Sequence, residues 1–143
     1  MGDISTTLSI VHGSTKPELL QLTLGQLIDR QADRFGNKDA VIVPWSCARL
    51  SFVELSERTK ELAKGLLRFG VCKGDRIALF SSDDERFIEL FFAVGRIGAI
   101  LVTLNKTYTV LECERAIKHS GQNFRFYLRA ELYDFYFLVD LVC

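Results

Sequence analysis

A few stretches carry residue types that could do chemistry. His12, Gly13, Ser14, Thr15, Lys16 and Pro17 combine a glycine, two hydroxyls and a lysine, the ingredients of a phosphate-binding loop. Such a cradle needs several glycines, so that successive backbone N–H groups face the anion, and it sits between a strand and a helix. This stretch has one glycine and precedes all regular structure, so it predicts no phosphate site. Asp83, Asp84 and Glu85 set three carboxylates in a row, where neighbouring acids could hold a cation or split their pKa values for acid–base work. Acids in a first helical turn are equally favoured by the positive end of the helix dipole, which leaves them no catalytic duty. His119 falls near a helix C-terminus and His12 in an N-terminal arm, and neither has a Ser or Cys partner that spacing justifies as a nucleophile. Cys47, Cys72, Cys113 and Cys143 lie far apart, without the short spacing of a zinc site. One segment has a suggestive location: Lys106 to Thr109 follows a buried-type strand, and ligands of open α/β sheets sit at the carboxyl ends of strands. From the residues alone, no catalytic, cofactor-binding or metal-ligating residue is assigned.

Composition narrows the function classes further. The 143 residues are 48% hydrophobic and 25% charged, with 10 Gly and 2 Pro, which excludes disordered and collagen-like chains. Lys plus Arg and Asp plus Glu each number 18, so the chain has no basic footprint for nucleic acid. With no net charge to keep copies apart, marginal solubility is expected. The first fifteen residues hold no apolar run of signal-peptide type, so the thiols are expected to be reduced and the chain intracellular, cytoplasmic by default, with mitochondrion and peroxisome left open. The sequon at Asn105 and the myristoylation-like Met1, Gly2 and Thr6 are discounted on that ground and on the acid at Asp3. No stretch reaches the length of a transmembrane segment.

The elements that must position any site follow from periodicity and capping. Residues 1–22 are polar and aperiodic and read as a surface arm. Thr23 with Gln26 caps a helix over Leu24 to Phe35, which Gly36 ends. Ala40 to Val43 and Arg49 to Phe52 read as a hairpin. Ser51 with Glu54 caps a helix whose apolar face carries Leu55, Thr59, Leu62, Leu66 and Phe69. Its charged face offers Glu54 to Arg58, Glu57 to Lys60 and Glu61 to Lys64 as local ion pairs. Arg76 to Ser81 is a strand, and Ser82 with Glu85 caps a helix, apolar almost all round from Phe87 to Ile97 and therefore expected between layers. Ala99 to Leu104 carries no charge, the mark of a strand covered on both faces. Thr109 with Glu112 caps another helix, and Phe124 to Leu128 is one more strand. Strand, helix, strand, helix, strand in that order predicts an open, mostly parallel α/β sheet with flanking helices.

Three runs carry a family resemblance: TLGQLIDRQADRFGNKDAVIV, RLSFVELSERTKELAKGLLRFGVCKGDRIALF and FAVGRIGAILVTLNKTYTVLECERAIKHSG. Together, from Thr23 to Gly121, they resemble the beginning of an AMP-forming acyl-CoA synthetase of the adenylating superfamily. Gly74, Asp75 and Arg76 entering a strand, and Gly95 to Asn105, are especially similar, while Lys106 stands where that family has proline. Ser9 to Gly13 is similar to the arm of medium-chain fatty acyl-CoA synthetases.

The resemblance implies residues 23–128 as a partial AMP-binding domain, an incomplete N-terminal part of the adenylating large domain, followed by a divergent apolar tail over 129–143. It implies fatty acid, ATP, Mg and CoA as substrates and cofactors of a full-length parent that makes acyl-CoA, AMP and pyrophosphate. The family's Ser/Thr/Gly-rich phosphate loop and catalytic lysine have no counterpart in these residues. No cofactor and no catalysis are therefore expected of this chain alone. The alternatives are a stand-alone α/β module holding a nucleotide or acyl group at the loop after Leu104, and a regulatory piece that pairs with the full-length enzyme. An unfinished sheet edge would also invite self-association.

Overall fold

The computed structural model describes residues 13–81, 84–121, 124–131 and 134–139, the last two segments by their backbone. Helix α1, Leu24–Phe35, opens on a complete capping box in which Thr23 accepts from the Gln26 N–H and the Gln26 side chain accepts from Thr23. Gly36, at φ +56°, ends it. Strands β1, Asp39–Val43, and β2, Ala48–Ser51, form an antiparallel hairpin. Phe52, expected at the end of β2, is instead the first residue of α2, Phe52–Arg68. The reason is Ser51: its hydroxyl accepts from the Glu54 N–H, and the Glu54 carboxylate accepts from the Ser51 N–H at 2.8 Å, so the helix begins one residue later.

The main sheet runs β4, Ile100–Leu104; β3, Arg76–Ser81; β5, Phe124–Glu131; β6, Asp134–Val139, in that spatial order. Strand β3 is parallel to both β4 and β5, and β6 returns antiparallel to β5. This is the open, mostly parallel α/β sheet that element order predicts. Strand alternation sorts its side chains onto two faces. Ile77, Leu79 and Leu101 meet Ala63 and Leu66 of α2 and Leu90, Ala93 and Val94 of α3, Glu85–Ile97. Ala78, Phe80, Val102 and Leu104 meet Cys113, Ala116 and Ile117 of α4, Val110–Ser120. A third cluster, centred on Ile28, Leu50 and Leu55, ties α1 and the hairpin to Ile88 and Phe92 on α3.

Several sequence expectations are corrected here. Strand β4 has the expected cover on both faces, Leu101 against the α2 and α3 cluster and Val102 and Leu104 against α4, but it stands at an edge, paired among the described residues on its β3 side alone, with Ile100 45% exposed. An uncharged run reports apolar surroundings and carries no information on whether a second strand stands beside it. Helix α3 lies between layers as expected, with Leu90, Ala93 and Val94 in the cluster shared with the sheet and α2, and Ile88 and Phe92 in the cluster shared with α1 and the hairpin, while Phe91 is 39% exposed. Its N-cap is Asp84, whose carboxylate accepts from the Phe87 N–H at 3.1 Å, and the expected cap Ser82 lies outside the described residues. Phe69 has left the apolar face of α2 because that helix ends at Arg68. The tail begins inside β5, which runs three residues past Leu128 to Glu131.

Candidate functional site

The carboxyl ends of β3 and β4 open into a crevice of about 450 Å³ lined by Leu79, Phe87, Thr103, Leu104, Asn105, Lys106 and Tyr108. Leu79 and Leu104, 2% and 5% exposed, add little open surface to it, and the segment after β4 makes the rim. Asn105 folds that rim: its side-chain oxygen accepts from the Thr107 N–H at 3.0 Å and from the Thr107 hydroxyl at 2.9 Å, while its carbonyl accepts from the Tyr108 N–H at 2.9 Å. Thr109 then caps α4 in a box with Glu112, whose carboxylate is held below its ordinary range by the Thr109 N–H and hydroxyl. What remains facing outward is the exposed Lys106 ammonium and the Tyr108 ring. A mainly polar crevice with one cation and an amphipathic ring at its rim suits an anionic or ring-bearing ligand, and its lining residues include no nucleophile paired to a base.

The other sequence candidates fall elsewhere. Asp84 and Glu85 serve structure: Asp84 caps α3, and Glu85 accepts from the Ser46 hydroxyl of the hairpin turn at 3.3 Å. Asp83, His12 and Cys143 lie outside the described residues. His119 occupies the last turn of α4. Cys47, Cys72 and Cys113 are free thiols, and among the described residues no His, Cys, Asp and Glu group could hold a metal ion. Ser14 donates to the Lys16 carbonyl within the arm, so Gly13 to Lys16 form a local turn.

The strongest polar assembly was not visible in the sequence. Arg96 of α3, with a side chain 11% exposed, grips Asp29 of α1 through both guanidinium ends, at 2.7 and 3.0 Å. It also donates to the Thr59 hydroxyl at 3.0 Å and toward Ser56 and the Gly25 carbonyl. Ser56 and Lys60 of α2 complete the shell of Asp29 at 2.6 and 3.1 Å. The Arg96 hydrogen bonds are the main reason the Asp29 carboxyl is held far below the usual carboxylate range. The nearest sequence signal is a charged residue, Arg96, within an otherwise apolar helix; nothing in spacing points from it to Asp29.

A family model described as "AMP-binding enzyme" matches residues 28–134. The chain belongs to this family. Among curated relatives, the acyl-CoA ligase SID4 of Ajellomyces capsulatus is 43% identical over 114 residues, 80% of this chain and 19% of its own length. The acyl-CoA ligase sidI of Aspergillus fumigatus is 44% identical over 113 residues, again 19% of its own length. The mitochondrial medium-chain acyl-CoA ligase ACSF2 of Homo sapiens is 35% identical over 114 residues, 18% of its length. The chain thus spans about a fifth of these relatives. In fold it is similar to a fatty acyl CoA synthetase of Mycobacterium tuberculosis, with a TM-score of 0.70 over 75% of this chain and 21% of that one. It is equally similar to the NpsA N-terminal subdomain of Klebsiella oxytoca, with a TM-score of 0.70 over 78% of this chain and 28% of that one. The chain is an N-terminal piece of the adenylating fold.

Among the described residues, no run of glycines forms a backbone phosphate cradle. Phosphate binding by backbone needs glycines facing open space in succession. Here Gly25 and Gly95 are spent on helix contacts with Arg96 and Leu24, Gly98 abuts Lys73, and Gly121 abuts Arg76. The glycines with open space stand singly: Gly36 and Gly70 after helices, Gly65 on a helix, Gly74 in the turn before β3 and Gly13 in the arm. No helix among the described residues is long and apolar enough to cross a membrane.

Proposed function

We propose that the chain is the N-terminal scaffold of an AMP-forming acyl-CoA ligase and does not catalyse by itself. In the whole enzyme a fatty acid carboxylate displaces pyrophosphate from ATP, with Mg, and the thiol of CoA then displaces AMP from the acyl group. The observation that carries this is the pairing of a family match over residues 28–134 with a span of only about a fifth of the ligases it matches. A medium or longer fatty acid is the substrate class, supported by the medium-chain ligases among the relatives. The compartment is intracellular, the mitochondrion being one candidate on the same ground. The test is fatty-acid-dependent pyrophosphate release. The purified chain is expected to give none above a control without fatty acid, and acyl-adenylate formation by it would overturn the proposal.

The crevice supports a second reading, in which the chain retains ligand binding without chemistry. Its volume and the Lys106 and Tyr108 rim offer room for a nucleotide or an acyl group at the carboxyl ends of parallel strands. Calorimetric titration with ATP, AMP and acyl-CoA decides it: heat from one of them that disappears in Lys106→Ala is expected, and no heat from any removes it. The open edge at β4 further supports self-association of the chain.

A further inference from the structure

We draw no further inference here: the strongest candidate, the apolar groove of about 540 Å³ between α1, the β1–β2 hairpin and α3 that Leu27, Ile42, Phe52 and Phe92 help to line, carries nothing because nothing in the structure shows what covers it.

Discussion

Replacing Arg96 with Ala should be among the most damaging single changes in the helical layer. Arg96 joins three helices at once: Asp29 and Gly25 on α1, Ser56 and Thr59 on α2, and its own α3. Removing one member of a buried ion pair costs about 3–5 kcal/mol, because the partner charge stays behind without its counter-ion. Asp29 is not fully stranded, since its side chain is 39% exposed and keeps Lys60 at 3.1 Å and Ser56 at 2.6 Å, which brings the cost down to about 2–3 kcal/mol. For a chain of this size that is a drop of about 6–10 °C in Tm. Urea denaturation followed by far-UV circular dichroism measures it directly, and Arg96→Met separates charge from lost packing. The pH profile supplies an independent check. Asp29 in the folded protein titrates below its ordinary value near 3.8, so its stabilisation is present above that pH and is lost as pH falls further. In Arg96→Ala that acid-side loss should shrink. A change within about 0.5 kcal/mol for Arg96→Ala, or an unchanged acid limb, would refute the view that this hub holds the helices together.

Three further changes probe other parts of the fold. Gly95→Ala places a Cβ 2.7 Å from Leu24 Cδ1 and 3.0 Å from Leu24 Cβ, so despite its better helix propensity it should cost about 1–2 kcal/mol, and Leu24→Ala in the same chain should restore most of the loss. Thr109→Ala removes the capping box of α4, a helix with no fully buried residue, and should cost about 1 kcal/mol and raise amide exchange through the first turn of that helix; unchanged exchange would show the cap to be idle. Burial pushes the Glu89 carboxyl above its ordinary value while Arg58, at 3.1 Å, opposes the shift, so a carboxyl NMR titration should show Glu89 moving further up in Arg58→Gln; a stationary midpoint would mean that the pair is not formed in solution.

What the sequence discloses about this fold divides along one physical line. Helix starts at Thr23, Ser51 and Thr109 were legible because a capping box is satisfied within four residues, so neighbours in sequence are the whole interaction. The order of elements, and with it the parallel sheet, followed from period and length. Partner choice did not. Glu54 and Arg58 sit at ideal helical spacing, yet Glu54 turns to Ser51 and Arg58 crosses to Glu89 on α3. Lys60, which spacing offered to Glu57, bonds Asp29 on α1 instead, and of the three local pairs Glu61 to Lys64 keeps its salt bridge. A partly buried partner beats an exposed one because solvent screens the exposed pair more strongly. Arg96 and Asp29 are 67 residues apart, and only the crossing of α1 and α3 brings them together. The crevice was half legible: the Lys106 to Thr109 loop followed from the strand-end rule, whereas Leu79 and Phe87 entered it through the packing of β3 and α3.

The placement of the displaced titratable groups bears on the scaffold proposal. Sites that do acid–base chemistry set groups with shifted pKa values in a cleft, facing the reacting atoms. Among the described residues, Asp29, Glu54, Glu61, Glu89 and Glu112 are the groups so shifted, and each is explained by a structural partner or by burial. Asp29 answers to Arg96, Glu54 and Glu112 to their caps, Glu61 to Lys64, and Glu89 to burial against Arg58. None lines the crevice, whose rim has Lys106 as its charge. Electrostatic work in this chain is therefore invested in fixing α1, α2 and α3 to one another and in starting helices at set residues. None of this work is directed at the crevice, which is the arrangement the scaffold proposal expects.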